Sequence, residues 1–458
     1  MKLSTKQVRR KASRKIPRLR FQGQRLSAFS GLVIFQALIS SLDLRERLRR
    51  CFRHLKVAHV YSPATIVLGL VVHILMGFRE LRDVKFYRND PVVLRTWSLK
   101  RMPDVSTISR ILSSFDLQAV EQFRNLVREL VLTRLGELMI RRVTLDFDGS
   151  LIGTNRWAEG TAAGFNPKKK GQRSYYPLFC TIAQTSQVLD VLHRSGNVHD
   201  SQGSREFIRD CIAHVKSVLP NATVEVRMDS AFFNRETADI LEGLNVEFSI
   251  TVPFARFVQL KDLLQGQRRW RRVNSDTSYF ELKWKPEVWP CGYRFLAVRT
   301  RNPIRRKGPV QLDLFMPYVY GYEFKVIVTN KKTEARSVVA FHNGRGAQEA
   351  MFAEMKSQGQ LGYVPSRRLL ANQTYFFASI MAHNLTRELQ MKVREPERTT
   401  TPKRSALWKF EKLATIRNKI VRQAGVLTNP SRKTTITFNL NDDLEAEMID
   451  YLDALEAA

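Results

Sequence analysis

Three acidic positions stand where phosphoryl chemistry could be done. Asp148 closes the segment Val143-Thr-Leu-Asp-Phe-Asp, whose β-branched residues and alternation predict a strand, and Gly149 and Ser150 follow it. Asp229 closes a second such segment, Thr223-Val-Glu-Val-Arg-Met-Asp, and Ser230 follows it. A carboxylate at the C-terminal end of a sheet strand lies where open α/β sheets hold ligands. Neighbouring strands run about 4.8 Å apart, so two such ends could share a hard divalent cation, which prefers oxygen ligands. Two cations ~3.5–4 Å apart could serve both sides of a phosphoryl displacement. Either aspartate alone could equally end its strand in a turn or cap the next helix. Asp146 points to the same face as Asp148 and reads as a structural, hydrogen-bonding acid.

The third acid lies in Phe341-His-Asn-Gly-Arg-Gly-Ala-Gln-Glu-Ala-Met-Phe-Ala-Glu-Met-Lys356. On a helix, Arg345, Glu349 and Lys356 fall within about 40° of one another. His342 joins that face only if the helix starts early, and Gly344 and Gly346 argue against such a start. Taken alone, Arg345 and Glu349 could be a surface ion pair contributing only ~0.3–0.5 kcal/mol. Lys168, Lys169 and Lys170, with Arg173, Tyr175 and Tyr176, follow the first carboxylate. Basic residues beside aromatics suit an unstacked nucleic-acid strand, and equally a solvated hairpin loop. His199, after Gly196-Asn-Val, reads as a turn residue or an indirect group, since a hard cation prefers oxygen.

The elements that must position these residues change character along the chain. Residues 26–135 are helical by spacing: Leu32, Phe35, Leu38 and Leu42 recur at three and four, as do Ile111, Phe115 and Leu117, with Ser106 the expected cap. Residues 97–110 read as a turn and a short helix that would suit DNA docking or a plain helix pair. Residues 64–78 are apolar but short of the ~20 needed for a membrane span, so a buried helix is expected. From Arg141 the order is strand 143–148, strands 176–184 and 188–193 as a hairpin, helix 204–219, strand 223–229, helix 236–244 and strand 246–252. This is a mixed α/β layer with a meander on one side. Residues 256–330 read as a basic, antiparallel β insertion carrying Trp270, Trp284 and Trp289. Helices return from Ala347, with a long one over 373–391, a linker at 399–404 and an acidic end.

The charge balance names a class of partner. Lys plus Arg is 75 against 43 Asp plus Glu, a formal net charge of +32. Such an excess predicts a polyanion, and nucleic acid is the commonest. The first 30 residues carry ten Lys or Arg and no acid, a solvated or phosphate-contacting arm. At 458 residues with 43% apolar content the chain supports about three cored domains rather than a disordered tail. Cys51, Cys180, Cys211 and Cys291 form no CxxC, which excludes a zinc finger or a disulfide scaffold and fits a reducing compartment. Without a signal peptide or a span, a soluble cytoplasmic protein is expected.

Together the three acidic blocks resemble the DDE transposases of bacterial insertion sequences. In one large branch of that family the glutamate sits in Tyr-x2-Arg-x3-Glu-x6-Lys, the Y-R-E-K signature, and Arg345, Glu349 and Lys356 match its spacing. His342 stands where the tyrosine would be. The wording looks closest to the IS-thirteen-eighty branch: Leu145-Asp-Phe-Asp-Gly-Ser, Gly164-Phe-Asn-Pro-Lys-Lys-Lys-Gly, Ser195-Gly-Asn-Val-His-Asp, Arg227-Met-Asp-Ser-Ala-Phe, Arg345-Gly-Ala-Gln-Glu and Leu369-Leu-Ala-Asn-Gln. The likeness covers about residues 140–390.

The resemblance implies an α/β fold with an RNase H-like catalytic core, a β-rich insertion and an N-terminal helical domain. It divides the chain into a basic arm and helical DNA-binding region (1–135), the core's first part (136–255), the insertion (256–340), the core's second part (341–398) and a C-terminal region for dimer or end-complex contacts (399–458). It implies that Asp148, Asp229 and Glu349 hold two Mg²⁺, for which Mn²⁺ substitutes. Arg345, Lys356, Lys168, Lys169, Lys170 and Arg173 would contact DNA. The partners implied are element ends and target DNA, with a homodimer on DNA, a nucleoid-associated location and no membrane or small-molecule cofactor. An inactive transposase-derived DNA binder and a nuclease on the same fold are the alternative readings.

Overall fold

The computed structural model describes residues 19–20, 22–55, 60–164, 169–198, 203–253, 256–287, 289, 292–301, 318–319 and 321–456. The expected basic arm falls largely on residues 1–18, outside the described residues, as do Lys168, His199 and Cys291.

The N-terminal part is helical: α1 (Leu32–Ser41), α2 (Leu44–Cys51), α3 (Pro63–Met76), α4 (Pro91–Thr96), α5 (Val105–Ser113) and α6 (Leu117–Leu138). Ser62 caps α3 by accepting from Thr65 N, and Pro63 sits in the first turn, where its missing N–H costs nothing. Residues 64–76 of α3 are buried apart from Thr65, as expected of a short, wholly apolar helix. Ser106 is not a cap. It lies inside α5, which starts after Asp104, and the Asp104 carbonyl accepts from Thr107 and Ile108 N–H. Nor do Ile111, Phe115 and Leu117 share one helix, because α5 ends at Ser113 and Leu117 opens α6.

At Arg142 the β-branched run forms the centre of the molecule. Five strands make the core sheet: β1 (Arg142–Gly149), β2 (Leu178–Ile182), β3 (Gln187–Leu192), β4 (Thr223–Met228) and β5 (Glu247–Val252). Their spatial order is β3-β2-β1-β4-β5. β1–β2 and β2–β3 are antiparallel, joined at the second turn by Ser186 at φ +49°. β4 runs parallel to β1 with Phe147 opposite Met228, and β5 runs parallel to β4. β1 is buried from Arg142 to Phe147, as a strand covered on both faces must be. Val143, Leu145 and Phe147 pack with α6, α7 (Ser204–Val218) and α8 (Arg235–Gly243) through Leu135, Phe207, Ile212 and Leu241.

The insertion adds α9 (Val258–Gly266) and β6 (Thr277–Leu282), β7 (Arg294–Arg301) and β8 (Tyr322–Thr329). These strands are no separate layer. β8 pairs antiparallel with β5, Val326 opposite Val252, so the core sheet runs on through β8, β7 and β6 into a ten-stranded sheet. The chain then returns across the sheet as α10 (Ala335–Asn343), α11 (Gly346–Ser357) and the 25-residue α12 (Leu369–Val393).

α12 is buried from Asn372 through Met391 except at Gln373, and lies between the sheet and the N-terminal helices. Several of its buried polar groups bond across to neighbouring elements. Asn384 bonds both N and O of Val188 on β3, and Arg387 pairs with Glu354 of α11 at 2.7 Å. After α13 (Leu413–Ile416), strands Gly425–Thr428 and Thr435–Phe438 pair with each other, and Leu26–Ser27 joins them. The acidic end folds as α14 (Asp442–Glu456), whose Met448, Tyr451 and Leu455 are buried in the core shared with α1 and α12. Among the described residues no helix is long and apolar enough to cross a membrane.

Candidate active site

Side chains alternate along β1. With Val143, Leu145 and Phe147 turned to the α7 side, Asp146 and Asp148 face α10 and α11. Asp146 is 2% exposed and holds Arg227 of β4 bidentately, with Nε to Oδ1 and Nη2 to Oδ2 both at 2.6 Å. Burial pushes the Asp146 carboxyl up, against the pull of the Arg227 guanidinium. The third Arg227 nitrogen donates to Phe341 O at 2.9 Å, which ties the end of α10 to the sheet. Gly344 is required here: a Cβ would stand 2.3 Å from Arg227 Nη1.

α11 is pinned to β1 at the residue just before the candidate glutamate. Gln348, buried, donates from Nε2 to Asp146 O at 3.0 Å and to Thr181 Oγ1 at 2.9 Å. Its neighbour Glu349 therefore projects at the edge of the sheet, with 70% of its side chain exposed. Arg345, just before α11, donates from Nη1 to Asp148 Oδ2 at 3.0 Å, and its Nη2 lies 3.8 Å from Glu349 Oε1. The pair expected within the helix is thus one arm of a bridge from α11 to the end of β1. Asp229 directly follows β4, the parallel neighbour of β1, and accepts from Ala231 N at 3.0 Å. Lys356 lies two turns beyond Glu349, about 10.5 Å along the helix axis.

His342 belongs to a different helix from Glu349. It ends α10, buried, with Nδ1 2.9 Å from Ser249 Oγ and Nε2 2.9 Å from Thr251 Oγ1. Burial first, then Lys325, Arg345 and Arg227, hold its pKa well below the ordinary histidine value. It is a neutral pin between α10 and β5 and shares no helix face with Glu349, in line with Gly344 and Gly346 arguing against an early helix start. The break between α10 and α11 at Gly344 and Arg345 is the reason.

The loop after β1 folds as a small sheet of Ile152–Gly153, Ala162–Ala163 and Arg173–Tyr175. Lys169 and Lys170 are exposed beside it. Arg173 is half-buried and turned inward, its Nε donating to Thr161 Oγ1 at 3.0 Å and its Nη2 to the Thr161 carbonyl. Asp148, Arg345 and Glu349 are therefore brought together, with Asp229 on the adjoining strand end. Arg173 is held apart by its own turn.

Three contributors escaped sequence reasoning. Arg227 stands two residues before Asp229, on the same strand face, and that alternation was the available signal. Gln348 carried no signal beyond its place beside Glu349. Lys325 comes from β8; its side chain reaches solvent, yet crowding and then Arg345 lower its pKa, against the pull of Glu323 and Glu349. Only the β5–β8 pairing brings it there.

The donor set suits a hard divalent cation, because it consists of carboxylate oxygens. Among the described residues no group of three or more His, Cys, Asp or Glu is drawn together as a ready metal cage. The Arg345 guanidinium lies against two of these carboxylates and balances part of their negative charge.

The family described as transposase DDE domain group 1 matches residues 8–457. No curated protein matches the chain. Among solved structures, a piggyBac transposase synaptic complex with hairpin DNA aligns over 92% of this chain and 85% of that one, at 9% identity and TM-score 0.42. A Mos1 transposase paired-end complex with left transposon end aligns over 43% and 60%, at 14% identity and TM-score 0.17. A Mos1 mariner paired end complex with Mn aligns over 48% and 72%, at 14% identity and TM-score 0.17. Because the family match runs through the sheet, the insertion and the helices beyond it, the chain belongs to the transposase DDE domain group 1 family, enzymes that cleave DNA and transfer its strands.

Proposed function

We propose that Asp148, Asp229 and Glu349 are the catalytic carboxylates of this DNA transposase and hold two Mg²⁺, which Mn²⁺ can replace. The observation that carries this reading is Arg345, which joins Asp148 at the end of β1 to Glu349 on α11 across 201 residues of chain. The strand order β3-β2-β1-β4-β5, with three antiparallel strands followed by two parallel ones, supports an RNase H-like core. The Arg345-x3-Glu349-x6-Lys356 spacing supports the Y-R-E-K group, and the blocks quoted above support the IS-thirteen-eighty branch of bacterial insertion sequences.

Divalent cations, when bound, supply Lewis acidity to the attacking and leaving oxygens of a phosphodiester. The chain's residues do the rest. Asp148 and Asp229 offer oxygens from adjoining strand ends, and Glu349 offers its own from α11. Asp146 and Arg227 hold the end of α10, and Gln348 holds α11, against the sheet so that these oxygens keep their relation. Arg345 binds phosphate by its planar fork and Lys356 by its ammonium. Lys168, Lys169 and Lys170 add charge from the loop after β1, while Arg173 shapes that loop. No side chain forms a covalent bond to DNA. The substrates are element ends and target DNA, engaged by a homodimer in the nucleoid. Residues 1–135 and 399–458 serve end binding and assembly around the core (136–255 and 341–398), and 256–340 forms the insertion.

The test is a cleavage and joining assay with Mg²⁺ or Mn²⁺ on DNA carrying the sequences that flank the gene. Asp148→Asn, Asp229→Asn and Glu349→Gln are each expected to lower cleavage by at least about 10²-fold, the scale of losing a preorganised electrostatic group, with DNA binding retained. A variant that cuts at the wild-type rate would remove its residue from the site. Nicks without joined products would favour the nuclease reading.

A further inference from the structure

Arg345 is claimed from two directions. Its Nη1 donates to Asp148 Oδ2 at 3.0 Å, and its Nη2 lies 3.8 Å from Glu349 Oε1. The Arg345 and Asp148 side chains are 18% and 17% exposed, so this contact is sheltered from screening. Arg345 has no buried carboxylate to fall back on, because both oxygens of Asp146 are taken by Arg227 at 2.6 Å. A guanidinium on a carboxylate oxygen competes with any metal ion for the same lone pairs. The fork that seats on Asp148 is also the shape that seats on a phosphate, and it cannot fully serve both.

We infer that Arg345 is an exchangeable counter-cation of the site, which occupies Asp148 when DNA is absent and moves to a DNA phosphate when DNA binds, so that metal binding and DNA binding strengthen each other. This rests on the carboxylate reading proposed above. The exchange has a sign. Without DNA a metal ion must displace Arg345 from Asp148. With DNA the guanidinium has a competing anion, and the carboxylate is released to the metal. Linkage makes the effect reciprocal: whatever factor DNA adds to metal affinity, metal adds to DNA affinity.

The experiment is Mn²⁺ binding to the full-length protein, read from the paramagnetic resonance signal of free Mn²⁺, with and without a short duplex that lacks element ends. Wild type, Arg345→Gln, Arg345→Lys and Asp148→Asn are compared, and Mn²⁺ held by DNA itself is subtracted with a protein-free sample of the same duplex. Without DNA, Arg345→Gln is expected to bind Mn²⁺ roughly five- to tenfold tighter than wild type, the lower range of typical coupling. Wild type is expected to gain about that factor when DNA is added, and Arg345→Gln to gain little. Arg345→Lys should fall between, since a point charge replaces the fork. Equal affinities for wild type and Arg345→Gln, both lost in Asp148→Asn, would overturn the exchange while keeping the carboxylates as ligands. Mn²⁺ binding that Asp148→Asn leaves unchanged would overturn both. If Arg345→Gln loses its folded circular dichroism, the wild type decides: no gain on adding DNA overturns the exchange.

Discussion

At the residue scale the site sets two aspartates on one strand to opposite work. Asp146 is closed in and doubly bonded to Arg227, whereas Asp148 reaches the edge and shares its guanidinium with the exposed Glu349. The difference predicts separable phenotypes. Asp146→Asn leaves Arg227 buried without its counter-charge and should lower unfolding free energy by about 3–5 kcal/mol. Asp148→Asn removes a partly buried charge but keeps a carbonyl oxygen for Arg345, and should lower it by less, about 1–2 kcal/mol, while abolishing cleavage. Chemical denaturation beside the cleavage assay checks both. Equal stability losses would mean that Asp148, too, is structural. The sequence already distinguished the two acids, because Asp146 precedes an apolar residue inside the strand and Asp148 precedes Gly149 and Ser150. It did not disclose the partner of Asp146. Arg227 lies 81 residues away, and only the parallel register of β1 and β4 sets them side by side.

At the element scale, placement of Glu349 depends on how α11 is fastened. The helix has no capping side chain, and Gln348 fastens its first turn to the sheet by reaching Asp146 O and Thr181 Oγ1. Gln348→Ala should therefore slow cleavage by about 10–100-fold, as loosened positioning does, with DNA affinity within about twofold of wild type because no cation is lost. Cleavage kinetics and a binding titration together check it; an unchanged rate would show that packing alone places α11. The strands around the site were legible, since β1, β4 and β5 are β-branched runs bounded by turns. The path of the insertion was not. β8 joins β5 more than 70 residues later, and nothing local in Tyr322-Glu-Phe-Lys-Val-Ile-Val-Thr marks its partner. For the same reason nothing local marks Lys325 as a neighbour of Arg345, whereas Gly344 and Gly346 do signal that His342 and Glu349 lie on separate helices.

At the scale of the whole molecule, charge and burial pull on different variables. The excess of 75 basic over 43 acidic residues should make DNA affinity fall steeply with salt, in a linear log–log titration whose slope counts the phosphates neutralised; a flat response would refute phosphate-dominated binding. Stability should respond to pH through the interior. His73 and His193 are pushed down to about 4 and His383 to about 3, chiefly by burial, and His342 is also held well below its ordinary value. All four are neutral in the fold, but each takes a proton once unfolded below the ordinary value of 6.5. Below that pH the unfolded chain binds more protons than the native one, so stability is fully present above 6.5 and is lost as pH falls toward 4. Each histidine contributes up to about 1.4 kcal/mol per pH unit in that window. His383→Gln can keep a donor toward Ser186 O, 2.8 Å from the ring nitrogen it replaces, and removes one such proton. Its unfolding free energy should therefore depend on pH between about 6 and 4.5 with a slope shallower than wild type by about one proton. Denaturant titrations at several pH values measure that slope, and an unaltered one would mean that His383 is protonated in the folded protein.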